Sequence, residues 1–334
     1  MGGKVALNSA VWVPAAGFHI DETMKDAVLI CDKLFPPHMV PTDHGTYTVI
    51  PIEALKKVYN TIRAAKASFP TADYTTERGT FTTNNYGWKE TIDKIERAQY
   101  EQENIDPDLI ASERMMEIMM VDKERAAAAI VQNPSVMTNT AAVTTEWSNP
   151  AADIFGDVKT HARLIRGRTG VKKKFLSLFV NDLIFENMQQ NTALKDQIKY
   201  TYGTAIDINH VPAPQIAQFL GIMEIIVPDY QYDSAAGGQA KVLADVWDDE
   251  YALLTLVDNS GDIRRPRLGT CFIFSKLGDA SVHVESWWNN DPPMDCYSGE
   301  MNYGLELMQS KDSSGNVVSN IGVDVSQLIS NITA

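Results

Sequence analysis

The longest uninterrupted pattern in the chain runs from Asp106 to Pro134, DPDLIASERMMEIMMVDKERAAAAIVQNP. Asp106 is suited to cap a helix N-terminus, and Pro107 to its first position, where a missing N–H costs nothing. Pro134 disfavours helical geometry at Asn133 and marks the end. No Gly or Pro interrupts, and Ala, Met, Glu, Lys and Arg are good helix formers. The pattern predicts one helix of about 25 residues, about 40 Å long. Its apolar positions Leu109, Met116, Met120 and Ile130 are expected to face a sheet made by the C-terminal strands.

Around this helix the pattern alternates between strand and helix signals. A short amphipathic helix is expected at Asp21–Leu34, in a segment holding Pro14, Pro36, Pro37 and Pro41. Strands are expected at Thr46–Ile50 and Gly79–Thr83, with Ile52–Ala67 of helical propensity between them. Asn84-Asn85 with Gly87 supply turn chemistry, and Thr91–Glu103 reads as helical. After a Thr/Asn linker at Asn133–Thr145, Ser148 or Asn149 would turn the chain into a helix at Ala151–Thr169. Then come a strand at Lys174–Val180, helices near Asn181–Gln189, Leu194–Tyr200 and Pro212–Leu220, and strands at Met223–Pro228 and Tyr251–Val257. From Thr270 onward the chain reads almost entirely as strands: Cys271–Phe274, Val282–Trp288 and Tyr303–Met308. This order is α+β.

Composition narrows the function. The 334 residues carry a formal net charge of −14, with 44% hydrophobic content. So acidic a chain is a poor candidate for wrapping nucleic acid, which needs dense Lys/Arg. Cys31, Cys271 and Cys296 form no CxxC pair and suggest no disulfide framework. No apolar run is long enough to span a membrane, and the N-terminus is not a convincing signal peptide.

Catalytic chemistry is missing from the motifs. GRTGVKKK at Gly167–Lys174 lacks phosphate-loop spacing, and GxSxG, HExxH and GxGxxG do not occur. His38, His44 and Asp43 could ligate a metal but read better as solvated loop residues, and Asp248-Asp249-Glu250 as an acidic turn. No catalytic, metal or cofactor site is expected. One run stands out in so acidic a chain: Arg163, Arg166, Arg168, Lys172, Lys173 and Lys174. It reads either as a solvated helix end, where cations suit the dipole, or as a contact with a neighbouring subunit or with DNA. Arg264, Arg265 and Arg267 invite the same two readings. The methionines at 115, 116, 119 and 120 read as core and interface packing.

Four stretches, in order, resemble the major capsid proteins of tailed bacteriophages, with the Hong Kong 97-type capsid fold. RAAKASFPTADYTTERGTFTTNNYGWKETIDKIE (Arg63–Glu96) looks like the family's extended loop and its return. The long helix ending DKERAAAAIVQNPS looks like the spine helix. WSNPAADIFGDVKTHARLIRGRTG is similar to the segment that opens the axial domain. NDLIFENMQQNTALKDQIKYT, with Ile216–Val227, completes the set.

The resemblance implies an N-terminal arm (1–45), an extended loop (46–98), a peripheral domain (99–150 and 265–334) and an axial domain (151–264). It implies self-assembly into pentamers and hexamers of an icosahedral head around double-stranded DNA, assembled in the host cytoplasm and ending in the virion. About 45 residues precede the loop, fewer than a built-in scaffold needs, so a separate scaffolding protein is expected. A portal protein, decoration protein and non-specifically held DNA are further expected partners. Arg63, Lys66, Phe69, Tyr74, Glu77, Arg78 and Phe81 mix charge with aromatic surface, as a polar-rimmed subunit contact would. Two alternatives remain: an encapsulin-like cellular compartment shell, or a soluble cytosolic enzyme without a recognisable motif.

Overall fold

The computed structural model describes residues 30–52, 56–58, 61–64, 66, 68–69, 71, 76–102, 106–202, 211–228, 230–235, 238–258, 260, 262–275, 283–312, 314 and 316–333. The long helix spans Pro107–Val131, and the Asp106 side chain caps it by accepting from the Asp108 N–H at 3.0 Å. At 25 residues it is about 38 Å long. Its buried stripe is Ala111, Ser112, Met115, Met116, Met119, Lys123, Glu124, Ala127, Ala128 and Val131. The expected face is kept and widened. Met116 is buried, and Met120 and Ile130 are half-buried against the same core, as Leu109 is half-buried at the helix start, while Met115, Ala127 and Val131 are fully buried beside them. The cause lies in the sheet below. A Cβ on Gly299 would sit 2.9 Å from Met115 Sδ and 3.0 Å from Met119 Sδ, so a bare glycine admits both methionines.

That sheet is built on Pro293–Leu307, a fifteen-residue strand. Asn84–Asp93 pairs antiparallel along one of its edges. His283–Asn290 and then Gly269–Phe274 share the other edge, and Pro37–Val40 runs parallel beyond the latter. Two sequence expectations change here. Asn84, Asn85 and Gly87 form no turn; they begin a ten-residue strand, because the long partner strand offers a continuous ladder. Gly87 marks a close approach, since a Cβ there would lie 3.3 Å from the Gly299 carbonyl oxygen. The helix expected at Thr91–Glu103 begins only at Lys94 and runs to Gln102. Ile92 stays in the strand and is buried with Ala111 and Tyr297.

A second five-stranded sheet has the order Thr140–Ala142, Ser326–Ser330, Ala252–Leu256, Leu176–Phe179, Glu224–Ile226. Both faces of its central strands are covered, so even their polar residues Ser177, Thr255, Ser326 and Gln327 are buried among the apolar ones. Phe179, Ile226, Leu253 and Leu328 join the core of the long helix. Leu178, Ile225, Leu254 and Ile329 join a second core with Trp147, Val158, Ile165, Ile184 and Ile216. The strand at Thr140–Ala142 lies inside the expected linker; its three residues pair in parallel with Leu328–Ser330. The helix expected from Ala151 starts at Ile154 and ends at Thr169. Asp153, rather than Ser148 or Asn149, caps it, accepting from Gly156 N–H at 2.9 Å. Helices Asp182–Gln190, Thr192–Tyr202 and Ala213–Leu220 follow. Of the helix expected at Asp21–Leu34, Cys31–Leu34 is helical and 21–29 lie outside the described residues.

Candidate assembly surfaces

Strands His44–Val49 and Glu77–Thr82 form an antiparallel pair that roots the segment between them. Register places Tyr47 opposite Gly79 and Phe81 opposite Gly45. Each ring folds over the glycine across from it. A Cβ on Gly45 would lie 2.9 Å from the Phe81 ring, and one on Gly79 would collide with the Tyr47 ring. Both rings also meet Phe272 of the wide sheet, Phe81 stacked at 4.4 Å and Tyr47 tilted at 5.2 Å between centroids. The pair is extended by Ser310–Lys311 and Val317–Ser319. Ser310 donates to the Glu77 carboxylate, and Lys311 Nζ donates to Thr80 Oγ1 at 3.0 Å. Burial pushes the Tyr47 phenol up to about 12, so it stays protonated near neutrality.

Above this root the side chains face water. Every described residue from Lys56 to Thr76 is exposed, including Val58 at 93%, Ile62 at 87% and Phe69 at 77%. Arg63 lies 4.2 Å over the Phe69 ring, a cation–π contact on the surface. Lys66 is exposed with φ 65°, the left-handed region uncommon for lysine. Arg78 is exposed, Glu77 half-buried, and Tyr74 lies outside the described residues. Phe81 differs from expectation. It is 6% exposed and used within the subunit, because its ring fills the space over Gly45 against Phe272.

The basic run divides at the end of helix Ile154–Thr169, where left-handed Gly170 closes the helix by donating to the Arg166 carbonyl at 2.7 Å. Arg168 is exposed but not free, since its guanidinium donates to the Ser326 carbonyl at 2.8 Å and Gln327 Oε1 at 3.0 Å. It ties the helix to the C-terminal strand. Lys173 rests 4.8 Å over Phe155 and Lys174 4.9 Å over Phe175. Burial, with Lys159 nearby, lowers the Lys173 pKa. Arg163, Arg166, Lys172 and Lys174 remain exposed, beside Phe175 at 48% exposure.

The other arginines separate too. Arg264 binds Asp262 at 3.0 Å and Arg265 is exposed, whereas Arg267 is 2% exposed. Its Nε and Nη2 have no hydrogen-bond partner among the described residues, and burial lowers its pKa. His44 pairs with Asp43 at 2.7 Å, and His38 packs edge-on to Phe272. Among the described residues no three His, Cys, Asp or Glu side chains are grouped to hold a metal ion, and no helix is long and apolar enough to cross a membrane. Cys31, Cys271 and Cys296 are buried and free. A groove of about 500 Å³ lies between the long helix and Trp247, lined by Arg125, Gln132, Tyr232, Asp245 and Asp248. The polar pair Lys123–Glu124 escaped the sequence reading. Its signal was position: Lys123 falls on the four-residue spacing of Met115, Met119 and Ala127, and Glu124 on that of Met116 and Ala128, both inside the buried stripe.

In sequence the chain matches no protein-family model and no curated protein. In structure it is similar to a phage-related protein from Bordetella bronchiseptica, with TM-score 0.65, 20% identity, and 96% of this chain and 97% of that chain covered. It is also similar to a protein of Microbacterium phage Oxtober96, with TM-score 0.53, 10% identity and 90% of each chain covered. A chain of the mature capsid of bacteriophage PhiM1 aligns with TM-score 0.50 and 11% identity, covering 90% of this chain and 86% of that one. At such identities the likeness is one of fold, and it runs through nearly the whole length of the chain. The two sheets, the long helix and the rooted hairpin together make up the α+β capsid-protein fold of tailed bacteriophages.

Proposed function

We propose that the chain is a major capsid protein, which self-assembles into pentamers and hexamers of an icosahedral head around double-stranded DNA. The observation that carries this reading is the exposure of Val58, Ile62 and Phe69 above a tightly packed root. A lone subunit gains nothing by ordering a root for a segment whose large apolar side chains sit in water. A neighbouring copy would cover them, and closed symmetry would cover them in every copy. The role is structural rather than enzymatic, and its place is the virion shell, after assembly in the host bacterial cytoplasm.

On this reading residues 1–45 are the arm, 46–98 the extended loop, 99–150 with 265–334 the peripheral domain, and 151–264 the axial domain. Arg63, Lys66, Phe69, Tyr74 and Arg78 contact the adjacent subunit, and Glu77 and Phe81 hold the loop's root. A separate scaffolding protein, a portal protein and a decoration protein are the partners, with DNA held non-specifically. Co-expressed with its scaffold, the chain should sediment as closed particles visible by negative stain. A protein that stays monomeric under every assembly condition would refute the reading. Nucleic acid inside the particles, rather than enzymes, separates a virus head from an encapsulin-like compartment.

Arg163, Arg166, Lys172 and Lys174 are assigned to a contact with an acidic surface of a neighbouring subunit or scaffold. With net charge −14 the subunit as a whole repels phosphate. Arg166→Glu combined with Lys172→Glu should lower particle yield several-fold and leave duplex binding by the free subunit at background. Tight duplex binding by the native subunit that weakens steeply with salt would instead assign the cluster to DNA.

A further inference from the structure

Glu124 is 1% exposed, yet its carboxylate is fully engaged. Oε1 accepts from the Ile30 backbone N–H at 3.0 Å and from the Trp247 indole Nε1–H at 2.9 Å. Oε2 accepts from the Cys31 N–H at 3.0 Å. One side chain of the long helix thus joins two segments that do not otherwise share a strand. The first is the point where residues 1–29 join the described fold. The second is the stretch leading into strand Ala252–Leu256. Both ends are reinforced. Lys123 Nζ, one residue earlier, binds Asp32 Oδ1 at 2.6 Å. Trp247 is 5% exposed, and its carbonyl accepts from Asn181 Nδ2, the side chain that caps helix Asp182–Gln190.

We propose that Glu124 couples the root of the N-terminal segment to the Trp247 segment, so that loosening either one loosens the other. The reason is the shared carboxylate. Detaching residues 30–31 removes two of its three donors and leaves a buried charge held by a single indole N–H. Leaving a buried charged group short of partners is costly. The carboxylate must then turn toward water, and the Trp247 indole loses its partner. The converse holds equally, because coupling between two sites is reciprocal. Through Asn181 the same chain of hydrogen bonds reaches the helix that follows, so detachment of residues 30–31 is felt among the helices packed on the second sheet.

The inference concerns a single subunit and holds whether or not that subunit forms shells, so its test needs no particles. Hydrogen exchange would be measured on the full chain for segments 30–35 and 246–251, with 176–179 as an internal reference. Glu124→Gln keeps the size but puts an amide N–H against the Cys31 N–H. Exchange in both segments should rise about tenfold or more, while the reference stays slow. Trp247→Phe leaves the carboxylate two donors and preserves most of the packing, so it carries the test if Glu124→Gln fails to fold. It should speed exchange at 30–35, although it changes no group of that segment. Unchanged exchange at 30–35 in Trp247→Phe would overturn the coupling. A uniform rise across all segments, the reference included, would overturn it as well, since only global stability would then have changed.

Discussion

Ala127→Pro should yield insoluble protein rather than altered particles. Ala127 lies in the last third of helix Pro107–Val131 and is fully buried. Proline there removes a helical hydrogen bond and drives its ring into the carbonyl one turn back, at Lys123, costing roughly 3 kcal/mol or more. The extra ring atoms have no free volume to enter, which adds about 1–3 kcal/mol of overpacking. The kink also falls where Lys123 and Glu124 hold Asp32, Ile30, Cys31 and Trp247, so several buried polar groups lose their partners together. A domain is typically stable by only about 5–15 kcal/mol. Soluble fraction and far-UV circular dichroism after expression check the outcome. Exposed Glu117→Ala is the control and should behave as native. Soluble Ala127→Pro protein with native helicity would contradict the helix geometry described above.

Phe81→Ala and Phe69→Ala should fail differently. Phe81 covers Gly45 and stacks on Phe272, so its loss opens a cavity at the loop's root and costs about 3–5 kcal/mol. Thermal denaturation should show a strongly destabilised subunit, and particle yield should fall with it. Phe69 is 77% exposed and touches only Arg63 in the described contacts, so its loss should leave the melting temperature within a degree or two. Its particle yield should nevertheless drop, because its proposed partner is another copy. Native yield from Phe69→Ala would remove Phe69 from the assembly surface. An unchanged melting temperature in Phe81→Ala would show that the aromatic root does not hold the loop.

The two phenylalanines also show where sequence reasoning reaches its limit. Both sit in one polar–aromatic stretch, and although Phe81 falls in an expected strand, nothing local says that its ring is buried. Phe81 is buried because strand register brings it opposite Gly45 and because Phe272, nearly two hundred positions later, supplies a face to stack on. Burial of this kind is set by partners remote in sequence. The basic run behaves alike: Arg168 and Arg166 look equivalent in the chain, yet only Arg168 finds the Ser326 carbonyl and Gln327.

What the sequence determined by itself are the features whose physics is local. The long helix was legible from Asp106, Pro107 and an unbroken run of helix formers, and the cap formed as read. The loop-root strands, the apolar strand Leu176–Phe179 and helix Ala213–Leu220 followed from side-chain period and flanking turn residues. The element order gave the α+β class, and the resemblance of four ordered stretches to tailed-phage capsid proteins pointed to the capsid fold. Only tertiary structure decided the rest. Asn84–Asp93 became strand against its turn chemistry because Pro293–Leu307 offered ten residues of ladder. The buried helix face widened to Met115 and Met119 because Gly299 left room for sulfur. Lys123 and Glu124 entered the core because Asp32, two backbone N–H groups and an indole were waiting there. In each case a distant partner supplied the hydrogen bond or the space, and no window of neighbouring residues contains that information.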